Sequence, residues 1–131
     1  MADYATAAEV FAAIAARERE VDARLAAVGR TRSGTDAFAA SVAAARVHQR
    51  RERERLRARL GVAAGAAAVV PQLDAPGELA RLRDAQQELV HAHAEGLPAL
   101  GDRHAVDVFA RHLVELAAQL TVIDLWIEGE E

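Results

Sequence analysis

Hydrophobic side chains recur along this chain at intervals of three and four residues, the spacing of one face of an α-helix. The clearest stripe lies in the first quarter of the chain and consists of Phe11, Ile14, Glu18, Val21, Leu25 and Val28. Valine and isoleucine never alternate with polar residues over the length of a strand. The pattern therefore predicts an all-α fold.

Start and stop signals divide this pattern into four helices, predicted at residues 6–28, 36–60, 76–95 and 103–128. Thr6 and Glu9 have the spacing of a capping box, Pro76 suits a first turn, and Asp102 suits an N-cap. A glycine stands at each predicted end, namely Gly29, Gly61, Gly96 and Gly129. With 131 residues, the chain is expected to form a single domain over 1–131, a four-helix bundle.

The connection between the second and third helices, Gly61 to Ala75, is long for a turn between bundle helices. Fully extended it spans roughly 50 Å, more than the length of the second helix, so it can carry the chain back along the whole bundle. We therefore expect one long crossover between helices 2 and 3. The alternative is that helix 2 continues through Ala63 to Val69 and that the loop is short.

Polar residues stand near the middle of every predicted helix, where an apolar core is expected. They are Glu18, His48, Glu52, Gln86, His112 and Glu115. Because the midpoints of equally long bundle helices lie level, the sequence predicts a polar layer halfway along the core. Carboxylate and imidazole groups at this height are the ligands of di-iron and di-manganese bundles.

Length, four helices, the central crossover and these mid-helix residues resemble the ferritin-like superfamily. The helix 2 segment from His48 to Leu56 is also similar to the matching helix of a small actinobacterial ferritin-like family. The resemblance implies one or two transition-metal ions, iron or manganese, held by a mid-core cluster. The candidate ligands are Glu18, His48, Glu52, Glu88, His91, His112 and Glu115, in which Glu88-x-x-His91 matches the superfamily motif literally.

Glu18 leaves a second interpretation open, since a buried carboxylate must be paired, protonated or bound to a cation. It can pair with an inward-reaching arginine or with His48 instead of a metal. The chain would then be a non-catalytic, cofactor-free bundle acting as a dimeric interaction or scaffold protein. The sequence does not decide whether the protein is an enzyme.

The basic residues number 16, all of them arginine, against 20 acidic residues, which gives a formal net charge of −4. Seven arginines lie between Arg46 and Arg59, interleaved with Glu52 and Glu54. We interpret this run as a solvated face of ion pairs, and no nucleic-acid partner is expected because the chain is acidic and has few aromatics. An acidic protein partner at Arg50 or Arg57 stays open.

The chain has no cysteine, no signal-peptide pattern and no apolar run long enough to cross a membrane. We therefore expect a cytoplasmic protein without a membrane partner. Helix 4 carries a mixed second stripe beside its apolar one: Val108, His112, Glu115, Gln119, Val122 and Trp126. A helix with two apolar faces often packs against a second chain, so we predict a homodimer through helix 4.

Overall fold

The structure, a computed structural model, describes residues 4–63 and 78–130. Within these ranges it is all-helical and contains no strand, which confirms the predicted fold class. The helices are α1 (Ala7–Thr31), α2 (Asp36–Arg59), α3 (Glu78–Gly96) and α4 (Arg103–Glu130). A short 3-10 helix, Leu97–Ala99, follows α3.

Three of the predicted boundary signals act as expected. The Thr6 hydroxyl accepts a hydrogen bond from the Glu9 backbone N–H at 3.3 Å, and the Asp102 carboxylate accepts one from Ala105 at 2.9 Å. These caps satisfy donors that have no partner inside a helix. Gly61 takes a positive φ of 70° directly after Leu60 at the end of α2, the backbone conformation that glycine adopts most easily.

Two predicted boundaries are wrong. Gly29 does not end α1, which continues to Thr31, and the positive φ falls at Gly34 instead. Gly129 lies inside α4. A helical glycine costs only about 1 kcal/mol relative to alanine, so a continuing hydrogen-bond ladder overrides it. The predicted start at Pro76, and residues 64–75 of the predicted crossover, lie outside the described residues.

α1 packs closely against α3, and the two helices run antiparallel. Arg24 pairs with Glu78 near one end of α3, whereas Arg17 pairs with Glu88 further along it. α3 packs just as directly on α4, also antiparallel, with Arg83 beside Asp124. These three helices therefore supply most of the apolar core.

α2 lies against α1 and α4 with fewer close backbone approaches. Its contacts are made largely by side chains that reach across the gap. Phe38 meets the Trp126 ring edge-on with ring centroids 4.9 Å apart, and Gln49 donates to the Glu115 carboxylate at 2.8 Å. Both contacts make α2 antiparallel to α4. The pairs Arg46–Asp22 and Arg53–Glu18 show that α2 is also antiparallel to α1.

The predicted apolar stripes form the core. Phe11 and Phe109, both in the first third of their helices, meet edge-on within this core with ring centroids 5.3 Å apart. The predicted polar layer is present in part: Glu18, Gln86 and His112 are buried, whereas Glu52 and Glu115 are partly buried and His48 is exposed. Three further polar side chains are also buried, Arg46 and Gln49 in the middle of α2 and His93 near the end of α3. No helix in the described ranges combines the length and the hydrophobicity needed to span a bilayer.

Candidate functional site

Glu18 is the centre of the most charged part of the polar layer. It lies on the core stripe of α1, and only 3% of its side chain is exposed. Arg50 donates to its Oε1 atom through Nε at 2.5 Å. Arg53 donates to Oε2 at 2.9 Å and to Oε1 at 3.1 Å, a two-pronged contact that favours an ionised carboxylate.

Asp22, one turn beyond Glu18, extends this arrangement along α1. It accepts from Arg46 at 3.2 Å and from Arg50 at 2.5 Å, and Arg46 also lies 3.8 Å from Glu18. Residues 46, 50 and 53 share one side of α2, so all three side chains reach α1 together. We call these five residues the arginine cluster: Glu18, Asp22, Arg46, Arg50 and Arg53.

The arginine cluster keeps Glu18 ionised. Burial alone would raise the pKa of a carboxyl group, since it disfavours the charged form. The hydrogen bonds and charges of Arg53, Arg46 and Arg50 outweigh burial and hold the pKa of Glu18 below its ordinary value. The negative charge is therefore already balanced by protein groups.

Glu52 forms a second polar group between α2 and α4. Its Oε1 atom lies 3.0 Å from the Nε2 atoms of both His112 and His48, and its Oε2 atom accepts from Arg111 at 3.0 Å. Although burial acts to raise the pKa of Glu52, its contacts with His112 and Arg111 lower it on balance. Both carboxylate oxygens of Glu52 thus have partners.

Two buried histidines continue the polar layer. His112 has no exposed surface, and burial lowers its pKa despite the neighbouring Glu52. Its Nδ1 atom is buried without a hydrogen-bond partner among the described residues. His93 donates from Nδ1 to the Leu89 carbonyl at 2.9 Å, and burial lowers its pKa to about 4. Both imidazoles are neutral at pH 7.

The structure does not bring the seven predicted metal ligands to one point. Glu18 lies in the arginine cluster, between α1 and α2. Glu52, His112 and Glu115 lie between α2 and α4, whereas the His48 side chain is 62% exposed and only touches Glu52. Glu88 and His91 are exposed on the outer face of α3, where Glu88 pairs with Arg17 at 2.6 Å. The literal Glu88-x-x-His91 match therefore faces away from the core.

The donor atoms do not fit a metal centre either. Within residues 4–63 and 78–130, no group of three or more histidine, cysteine, aspartate or glutamate side chains is arranged to hold a metal ion. The oxygens of Glu18 are bound by guanidinium groups, and His48 and His112 share one oxygen of Glu52. Iron or manganese binding stays a prediction from the sequence that this geometry does not favour.

The arginine run of α2 corrects another expectation. We predicted a solvated face of local ion pairs, but Arg46 is buried and Arg53 nearly so, and both pair with α1. Arg57 with Glu54 does form the expected local pair. The sequence contains a signal for the inward arginines, since Arg46, Gln49 and Arg53 continue the apolar face that begins at Val42.

The second stripe of α4 is not the free face that we expected. Trp126 packs on Phe38 of α2, and Gln119 accepts a hydrogen bond from Gln86 of α3 at 3.3 Å. Val108 and His112 are buried in the same chain. This stripe is therefore occupied within the monomer.

A different stripe of α4 faces solvent. Its members are exposed and follow heptad spacing: Asp107, Arg111, Val114, Ala118, Thr121, Leu125 and Glu128. Val114 is 70% exposed and Leu125 is 59% exposed, which is high for large apolar side chains. We call this set the outer stripe of α4.

Comparison with protein-family models, curated proteins and solved structures gives no match for this chain. Over residues 4–63 and 78–130 the chain is an all-α protein with four α-helices, and its core contains an ion-paired polar layer. Function is therefore inferred from the side chains of this chain itself.

Proposed function

We propose that this protein is a non-catalytic helical bundle that works as a homodimer, joined through the outer stripe of α4. The observation that carries the proposal is the exposure of Val114 and Leu125 at heptad spacing on one helix face. Two such stripes can form the seam of a two-helix contact. The proposed dimer therefore uses the outer stripe of α4. It does not use the second stripe, which is covered by α2 and α3.

The order of residues in the outer stripe suits a second copy of the same chain. If two α4 helices pair antiparallel about an axis between Ala118 and Thr121, Val114 of each copy faces Leu125 of the other. Arg111 then faces Glu128, so opposite charges meet at both ends. The small central residues allow the helix axes to approach closely. Such self-complementarity is what a two-fold interface requires.

Sedimentation velocity over about 1 µM to 1 mM protein tests this proposal. Burial of the exposed part of Leu125 contributes about 1 kcal/mol in each copy, so Leu125→Glu should weaken the dimer by about 2–3 kcal/mol, roughly 30- to 150-fold in Kd. Val47→Glu is the matched control, because Val47 is half-exposed on α2, outside the stripe. Glu128→Arg should also weaken the dimer by placing like charges opposite each other.

A wild-type chain that stays monomeric over the whole concentration range would overturn the proposal. So would equal dimer affinities for the wild type and Leu125→Glu. If Val47→Glu weakened the dimer and Leu125→Glu did not, the interface would lie on α2 instead of α4.

The metal-binding alternative is tested separately by elemental analysis of protein purified without added metal or chelator. We expect less than one transition-metal ion per chain, because the carboxylates of the polar layer are bound by arginine and histidine. Stoichiometric iron or manganese that is lost in Glu52→Ala would instead establish a metal centre at Glu52.

The connectivity that we propose is ferritin-like, with a crossover between α2 and α3. The directions of the described helices support it. The end of α2 lies beside the start of α4, where Arg59 pairs with Asp102, whereas the start of α3 lies beside the second half of α1, where Glu78 pairs with Arg24. These two points lie at opposite ends of the bundle, as a crossover connectivity requires.

A further inference from the structure

A cavity of about 600 Å³ lies between the first half of α1 and the second half of α2. Its volume falls within the range of small-molecule sites, roughly 300–1,000 Å³. It shares Glu18, Arg50 and Arg53 with the arginine cluster, and no residue of α4 lines it. The cavity is therefore distinct from the proposed dimer face and independent of it.

One wall of the cavity is an apolar strip on α1. Ala8, Ala12 and Ala15 follow one another at intervals of four and three residues, with the ring of Phe11 beside them. Ala8 and Ala15 are seven positions apart on the helix, which gives this strip a length of about 11 Å. An extended chain advances about 1.2 Å per bond, so the strip matches a chain of about nine bonds.

Positive charge lies at the end of the strip that is nearer the middle of α1. Arg19 is the next residue on the same face of α1 after Ala15, and it has no acidic partner within the described ranges of the chain. Arg50 and Arg53 face it from α2. Arg50 binds its acidic partners through Nε and Nη2, which leaves the N–H donors of its Nη1 atom for another acceptor.

The charges around the cavity do not cancel. Its lining contains four arginines and two glutamates, which leaves a formal charge of two positive units. Adding Arg46 and Asp22 from the arginine cluster keeps the same excess, because they contribute one charge of each sign. Guanidinium groups bind carboxylates strongly and with defined geometry, so the excess favours an anionic ligand.

We propose that this cavity binds the anion of a medium-chain fatty acid. The carboxylate lies among Arg19, Arg50 and Arg53, and the alkyl chain lies along the alanine strip towards the start of α1. A nucleotide fits less well, because the strip offers alanine methyl groups and a largely buried Phe11 instead of an exposed aromatic surface for base stacking. The proposed ligand therefore has one negatively charged head group and a saturated alkyl chain.

Isothermal titration calorimetry with decanoate tests the proposal on the full chain. Decanoate should bind the wild type, and Arg19→Gln should weaken binding at least about tenfold by removing the arginine that lacks an acidic partner. Arg51→Gln is the matched control, because Arg51 is an exposed arginine of α2 outside the cavity. Ala12→Glu should abolish binding by placing a carboxylate on the strip. Thermal melting followed by circular dichroism shows that each variant is folded.

Three results would overturn the inference. No heat of binding with decanoate up to about 1 mM would show that the cavity takes no such ligand. Equal affinity of decyltrimethylammonium, which has the same chain and the opposite charge, would show that the arginines do not recognise the head group. Inorganic phosphate binding as tightly as decanoate would show that the alanine strip contributes nothing.

Discussion

Glu18→Gln removes the negative charge that Arg46, Arg50 and Arg53 share while it keeps the size of the side chain. Arg46 and Arg50 retain Asp22 as a partner, but Arg53 loses the carboxylate that it binds with two nitrogens. Since Arg53 is mostly buried, water replaces that partner only in part. The substitution therefore leaves an uncompensated charge inside the protein.

Breaking a buried ion pair by removing one partner costs about 3–5 kcal/mol. Because Asp22 remains, we expect the lower end, about 3 kcal/mol of the free energy of unfolding. For a chain of this length that corresponds to a fall in Tm of about 10–15 °C. Glu88→Gln is the matched control. It breaks the Arg17–Glu88 pair, whose side chains are about half exposed, and should cost no more than about 1 kcal/mol.

Urea unfolding followed by circular dichroism measures both variants, and pH adds a second readout. The folded pKa of Glu18 lies below its ordinary value of 4.5, so its ionised form stabilises the protein above pH 4.5. That stability is lost as the pH falls through the folded pKa. The difference in free energy of unfolding between the wild type and Glu18→Gln should therefore disappear in that pH range. Equal losses for Glu18→Gln and Glu88→Gln at pH 7 would refute the assignment of Glu18 to a buried ion-pair cluster.

Two further predictions concern the core. Because burial lowers the pKa of His93 from 6.5 to about 4, the wild type should lose up to about 3 kcal/mol of stability between pH 6.5 and pH 4. In His93→Gln the free energy of unfolding should depend less on pH over this range. An unchanged pH dependence would contradict the burial of His93. A Cβ atom at Gly96 would lie 2.6 Å from a methyl carbon of Val10, so Gly96→Ala should cost about 1–3 kcal/mol in thermal unfolding. Gly29→Ala meets only the Thr35 hydroxyl at 3.7 Å and should stabilise the protein by up to about 1 kcal/mol. The reverse order of these two glycine variants would show that helix packing is not as described.

The helices and their buried faces were predictable because apolar spacing alone determines them. Phe11, Ile14 and Val21 are buried where a period of three and four residues places them. Helix ends were less predictable at Gly29 and Gly129, since a single glycine cannot outweigh the hydrogen bonds of a continuing helix. The polar layer was predictable only in part, because Glu18, Gln86 and His112 lie on buried helix faces whereas His48 is exposed.

The chemistry of that layer was harder to predict. The sequence shows that Glu18 needs a partner, but it does not show which face of α2 is turned towards α1. Arg46, Arg50 and Arg53 lie on that face, whereas His48 is exposed and contacts Glu52 instead. The exposed outer stripe of α4 was not singled out from the sequence, because the second stripe, with Trp126, has larger side chains.

The way in which α2 is attached has a consequence for how the bundle opens. Its buried side chains are Val42, Arg46, Gln49 and Leu56, so half of what it places in the core is polar. α3 also buries Gln86 and His93, but its buried leucines and alanines pack directly on both of its neighbours. Segments with few apolar contacts separate at a lower free energy than the rest of a domain. Amide hydrogens of α2 should therefore exchange with solvent before those of α3, with α2 detaching as a unit while the other helices stay together.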